Sequence, residues 1–151
     1  MPISPFALLL VTLVTVQSAI AQSLLGEVID AGGKRMSGEQ FRNEIVQRSI
    51  AGLTPSGGKI EMMYAMNGTI AGVGALSSQP VTSHTMHAQV SGTWAIDDGD
   101  RVCTTLKIFD PVGFTAILPA RCQAWFKLGD AYFISDSDSD RRMKVLKRTL
   151  K

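Results

Sequence analysis

Hydrophobic and polar positions change rhythm twice along this chain. Residues 6–16 are apolar apart from Thr12 and Thr15, and the stretch closes on Ala19-Ile20-Ala21 ahead of Gln22. Thr12, Thr15, Gln17 and Ser18 keep the run below the roughly 18 residues that a membrane span needs, and the small-residue ending fits a cleaved secretory signal. The expectation is a signal peptide over residues 1–21, without the usual basic leader, and a single β-rich domain over residues 22–151.

From residue 36 the pattern is helical. Ser37 with Gln40 three positions later forms a capping box, and Met36 and Phe41 stand at the staple positions. Phe41, Ile45 and Val46 share one face, and Gly52 fits a C-cap, so the spacing predicts an amphipathic helix over residues 38–50.

After Thr54-Pro55-Ser56-Gly57-Gly58 the period drops to two. Residues 59–66 meet residues 69–73 across Asn67-Gly68, a strong short hairpin signal, although Asn67-Gly68-Thr69 also matches a glycosylation acceptor. A strand over residues 83–90 follows a Gly- and Ser-rich stretch. Trp94 and Ile96 then alternate with Ala95 and Asp97 up to the Asp97-Asp98-Gly99-Asp100 turn. A similar unit follows, with Trp125 ahead of a Gly129-Asp130 turn and the strand 131–134. The fold class expected is mainly β (α+β): one N-terminal amphipathic helix, then a curled antiparallel sheet or small, partly closed β-barrel of about 7–8 strands.

Between the two tryptophan units, Asp110-Pro111-Val112-Gly113 fits a type I turn. If strands 101–109 and 114–126 pair about Val112-Gly113, Cys103 lies opposite Cys122; pairing about the type I turn shifts the match by two residues. These are the only cysteines, and in an exported chain a disulfide is the first reading, with a buried thiol pair as the alternative. A bond closing a loop of some twenty residues stabilises by about 3 kcal/mol on chain-entropy grounds. One tension stands in the pattern. Cys122 alternates with apolar Ala124, Phe126 and Leu128, whereas Cys103 alternates with Thr105 and Lys107, and Pro119 is placed where a bulge would switch faces.

Charge changes the picture only at the C-terminus. The net charge is +2, but Arg141, Arg142, Lys144, Lys147, Arg148 and Lys151 stand together without an acidic residue, leaving nine basic against thirteen acidic residues elsewhere. Such a segment is either a solvated strand or helix or a contact for an anionic membrane or polysaccharide. Nothing suggests a nucleic-acid partner.

Candidate chemistry is sparse. His84 and His87 point to opposite faces of a strand, and a copper site from Met62, Met66, His84 and Met86 is an alternative to core packing. Asp136, Asp138 and Asp140 open like a calcium loop, but Arg141 and Lys147 stand where its glycine and glutamate belong. Neither a serine-hydrolase elbow nor a nucleotide-binding glycine motif is present, so no catalytic residue and no cofactor is assigned.

Two resemblances complete the reading. Gly92-x-Trp94 resembles the lipocalin G-x-W, in which the tryptophan closes one end of a ligand-holding barrel, although in lipocalins it lies near the start of the mature chain. The order "MSGEQF", "GLTPSGG", "MNGT", "GTWAIDDGDRVC" and "CQAWFKLGDAYF" resembles small exported bacterial proteins of domain-of-unknown-function family 995 over residues 36–135. That resemblance implies a periplasmic or secreted location and carries over no catalytic residues. The function expected is a non-enzymatic binding module for a small apolar ligand or a protein partner, with Trp94, Trp125, Phe126 and Tyr132 as its wall. The alternatives are an envelope protein docked through its basic C-terminus and a secreted enzyme inhibitor.

Overall fold

The computed structural model describes residues 23–75, 88–109, 113 and 115–151. The expected signal segment lies outside these residues. In chain order the elements are β1 (Ser23–Leu24), α1 (Leu25–Asp30), β2 (Lys34–Arg35), α2 (Gly38–Glu44), β3 (Ser49–Leu53), β4 (Lys59–Tyr64) and β5 (Thr69–Gly74). There follow β6 (Ala88–Ile96), β7 (Val102–Phe109), β8 (Thr115–Leu128), β9 (Ala131–Ser135) and β10 (Lys144–Leu150).

Eight of the strands close a ring. The order β10-β3-β4-β5-β6-β7-β8 is completed by β9, which pairs with both β8 and β10, and every pairing is antiparallel. The two-residue strands β1 and β2 add to β10 and β8. The mainly β, barrel-like architecture expected from the alternation is therefore present, and the ring is fully closed.

Alternation sets two cores. Ile50, Met62, Tyr64, Ile70, Val90, Val102, Trp125, Tyr132 and Ile134 point into the barrel, where Met36, Phe41 and Ile45 join them from the α2 segment. Regular stretches of strand keep a period of two, so the immediate neighbours of these residues point outward. On one side of the barrel those neighbours are also apolar: Ala124, Phe126, Phe133 and Val145 form a second core with Leu25 and Val28 of α1. The sequence reading did not anticipate α1. It explains the apolar outer face of β8, since a helix covers it.

Helix α2 begins as the capping box foretold. Ser37 Oγ accepts from the Gln40 N–H at 3.2 Å, and Gln40 Oε1 accepts from the Ser37 N–H at 2.8 Å. It ends at Glu44 and does not reach residue 50. Gln47 turns the chain with φ of 66°, its N–H donating to the Tyr64 carbonyl, and Ser49–Leu53 then pairs with β4 and β10 on its two sides. Two rows of sheet hydrogen bonds outweigh the local helical pattern, so Gly52 is a strand residue and not a C-cap.

The hairpin after β4 also differs in detail. The Gly68 N–H donates to the Ala65 carbonyl at 3.1 Å and Gly68 carries φ of 83°, while Asn67 keeps negative φ. This is a four-residue turn whose last residue is a left-handed glycine, not a two-residue Asn-Gly turn. The Asp97-Asp98-Gly99-Asp100 turn repeats it, with Asp100 in the left-handed position at φ of 57°. Asp97 accepts from the Gly99 and Arg101 N–H groups, and Asp100 Oδ1 accepts from the Gly38 N–H at 2.8 Å, tying the turn to the start of α2.

Cys103 and Cys122 are joined by a disulfide between directly opposed residues of β7 and β8. The register beside the β7–β8 turn, continued without interruption, would set Cys103 against Arg121. Between Thr104 and Leu106 it shifts by one, so that Pro119 and Ala120 together oppose Thr105. This bulge brings Cys122 across to Cys103 and reverses the facing of the later residues of β8. Ala116 and Leu118 point inward before it, and Trp125 points inward after it.

Candidate functional site

The two ends of the barrel are built from different materials. At the end where β4 finishes and β5 starts, α2 lies across the opening and drives Phe41 among the aromatic rings. Phe41 stands with ring centroids 5.3 Å from Tyr64, 5.5 Å from Trp94 and 5.0 Å from Trp125. Edge and tilted contacts of this kind add specific attraction to the area they bury. Trp94 Nε1 donates to the Ala65 carbonyl at 2.8 Å, so the indole also clamps the β4–β5 turn. Gly92, two residues earlier, faces inward where any Cβ would run into the Thr105 carbonyl of β7. The Gly-x-Trp element thus serves close strand approach and end closure.

Of the four aromatic residues expected to form one ligand wall, Trp94, Trp125 and Tyr132 meet at this plugged end. Phe126 does not join them; it points outward beneath α1, because it neighbours Trp125 on a strand. Beside the plug lies a surface cleft of about 570 Å³ lined by residues including Glu44, Arg48, Lys127, Asp130 and Tyr132. Glu44 accepts from Lys127 Nζ at 2.6 Å and from the Tyr132 hydroxyl at 2.9 Å. The Lys127 hydrogen bond holds the Glu44 carboxyl below its ordinary range, and the same bond raises Lys127. Burial, then the bond to Glu44, pushes the Tyr132 phenol up. Each group stabilises the others in their resting protonation states. The cluster fastens the last turn of α2 to the barrel and presents no poised base or nucleophile.

At the opposite end the inward positions are apolar and incompletely covered. Ile60, Leu106 and Ile108 are half-buried, and Leu118, directly across from Leu106, remains 39% exposed. A separate cleft of about 320 Å³ lies on the β8, β9 and β10 side of this end, with Pro55, Ile134, Met143 and Leu146 among its walls; Ile60, Leu106, Ile108 and Leu118 do not line it. Its polar rim holds Arg121 paired with Asp136, Gln123 donating to Asp136 at 2.8 Å, and Lys144, which has no ion pair among the described residues.

The basic C-terminal segment is largely absorbed by the fold. Arg141 pairs with Asp30 at 2.5 Å, and Lys151 pairs with Glu61. Arg148 corrects the expectation of a surface contact most sharply. It faces into the barrel and is only 5% exposed. Its Nη1 donates to the Leu53 carbonyl at 2.9 Å and the Lys147 carbonyl at 3.0 Å, and its Nε has no partner. Burial lowers its pKa from the ordinary arginine value. Tyr64, the titratable group coupled to it, is itself pushed up to about 12 by burial, so at neutral pH its neutral phenol supplies no countercharge. Of the six basic residues in this segment, Arg142, Lys144 and Lys147 remain exposed without an ion pair to another described residue.

Metal chemistry finds little support. Met62 points into the barrel, while Met66 is 75% exposed on the β4–β5 turn. The two are therefore not brought together; His84 and Met86 lie outside the described residues. Asp97 stands close to Cys103 and Cys122, but the disulfide leaves no thiolate to bind an ion.

No family model matches the chain, and no curated protein or solved structure matches it significantly. Among the described residues no helix is long and apolar enough to cross a membrane. The site therefore rests on its own geometry. Sequence reasoning missed Arg148 and Gly52 as a facing pair, and the one available signal was a glycine in a short strand opposite a basic residue.

Proposed function

We propose that this chain is an exported, non-enzymatic barrel that holds a small apolar molecule in the half of its interior away from α2. The observation that carries the reading is the contrast in burial of inward-facing residues. Phe41, Tyr64 and Trp125 are sealed, whereas Leu106, Ile108 and Leu118 keep part of their apolar surface uncovered. Pockets of a few hundred Å³ with apolar walls and a few polar groups are the usual form of small-molecule sites. The cross-strand disulfide agrees with the exported location that the N-terminal residues and the resemblance to family 995 suggest.

The test uses the oxidised protein and the neutral apolar fluorophore N-phenyl-1-naphthylamine. Saturable one-to-one binding is expected, and Leu118→Trp, which adds bulk directly opposite Leu106, is expected to weaken it at least about tenfold. Absence of saturable binding, together with native mass spectra showing no co-purified molecule, would remove the binding-module reading. Docking through the basic C-terminus has less support, since Arg141, Arg148 and Lys151 are engaged within the fold.

A further inference from the structure

Arg148 is a buried charge set directly across from Tyr132, yet it takes no part in the hydrogen bonds of the Glu44 cluster. Its side chain crosses from β10 over β3 to the Leu53 carbonyl, and so runs toward the end of the barrel away from α2. Arginine presents five N–H donors in a rigid fork suited to a carboxylate. Here one nitrogen, Nη1, is engaged by two carbonyls, and neither Nε nor Nη2 has a partner among the described residues. None of the six ion pairs among the described residues includes it.

The surrounding sequence makes room for this group. Gly52 is the direct cross-strand partner of Arg148, and a Cβ there would collide with Arg148 Nη1 and lie 2.9 Å from its Cδ. Following the register around the wall, Gly52 faces Ile60, Ile60 faces Gly74, and Gly74 faces Ala88. Three of these four inward positions carry no side chain or only a methyl group. An uncompensated guanidinium inside a barrel is strongly unfavourable unless something anionic satisfies it. Leucine or methionine at 148 would pack without that cost.

We propose that Arg148 receives the carboxylate of the apolar ligand, so that this barrel binds a hydrophobic monocarboxylic acid with its head on the free edge of the guanidinium and its tail against Leu106, Ile108 and Leu118. This rests on the binding-module reading above and adds the chemical class of the ligand. The acid arrives ionised and supplies the countercharge that the interior lacks, while two-donor recognition by arginine orients the head.

The experiment compares dodecanoate with dodecanol on the full oxidised chain by titration calorimetry at pH 8, below the micellar range. Dodecanoate is expected to bind at least about tenfold tighter than dodecanol. Arg148→Met is expected to abolish that preference while leaving dodecanol binding intact, and to melt at or above the wild-type temperature, because it relieves a buried unpaired charge. Arg148→Lys, with one ammonium in place of the fork, is expected to show a reduced preference and serves if the methionine variant does not fold. Lys144→Gln, at the exposed rim, is expected to keep the full preference. Equal binding of the two probes to the wild type, or a preference lost in Lys144→Gln and kept in Arg148→Met, would overturn the assignment of Arg148 and leave the apolar site standing. Failure of both probes to bind would overturn the site together with its arginine.

Discussion

The α2 end and the opposite end of the barrel are walled by the same strands, yet they have opposite relations to solvent and charge. At the α2 end, Phe41 completes a ring cluster with Tyr64, Trp94 and Trp125, and the nearby ionisable groups Glu44, Lys127 and Tyr132 satisfy one another. At the other end, Leu106, Ile108 and Leu118 stay partly uncovered, and toward it reaches the side chain of the buried Arg148, which starts opposite Tyr132 and keeps an unpartnered Nε. The difference teaches where to look for function in a small barrel. Complete packing with paired polar groups marks the part that holds the fold together, and incomplete packing with an unsatisfied charge marks the part available to something else.

The largest expected effect breaks the packed end. Phe41→Ala should lower unfolding free energy by about 3–5 kcal/mol, as large buried aromatics do when truncated. The loss of three ring contacts should also shift tryptophan emission to the red. The matched change at the other end, Leu118→Ala, removes a side chain already 39% exposed and should cost about 1 kcal/mol. Urea titrations of both variants read the contrast directly; equal losses would mean that the two ends are packed alike.

The disulfide comes next. It joins residues 19 apart in sequence, and replacing both cysteines with serine should cost about 3 kcal/mol at equilibrium. Its location on the outer face predicts that the double variant still binds an apolar probe with unchanged stoichiometry. A loss of binding without a loss of folding would show that the bond shapes the interior.

The smallest effect sharpens the electrostatic side of the comparison. Glu44 has a folded-state pKa held below its ordinary 4.5 by the bonds from Lys127 and Tyr132. A depressed carboxylate contributes stability that is present above the unfolded value and lost as pH falls through the folded one. Glu44→Gln should therefore be slightly less stable than wild type at pH 7, and the gap should close as pH drops below 4.5, as melting curves across that range would show. Both partners are partly exposed, so added salt should also narrow the gap.

The elements that local pattern dictates were legible in the sequence. The Ser37 capping box, the turn at Asn67-Gly68, the facing cysteines and the bulge at Pro119 each depend on residues close together in the chain, and each is found. What was illegible depends on distant partners. The helix reading through Ile50 failed because β4 and β10 recruit residues 49–53 into the sheet. Helix α1 was missed because six residues carry little periodic signal, and its apolar side makes sense only against Phe126, Phe133 and Val145. For the candidate site, only the grouping of residues can be compared. Three of its four aromatic residues do gather, but at the sealed end. Arg148 looked like one more solvated cation, since a run of basic residues does not reveal which of them a closed ring will turn inward.

The strand that closes this ring also governs how the molecule can come into being. Strand β10 bonds to β3 on one side and β9 on the other, and about three quarters of the described residues lie from β3 to β10. Until Lys144–Leu150 is delivered, β3 and β9 are bare edges, and the ring cannot form from any shorter length of chain. Distant pairing of this kind slows folding, because the entropy of joining far ends is lost before contacts repay it. The act that seals the barrel is therefore the same act that carries Arg148 inside.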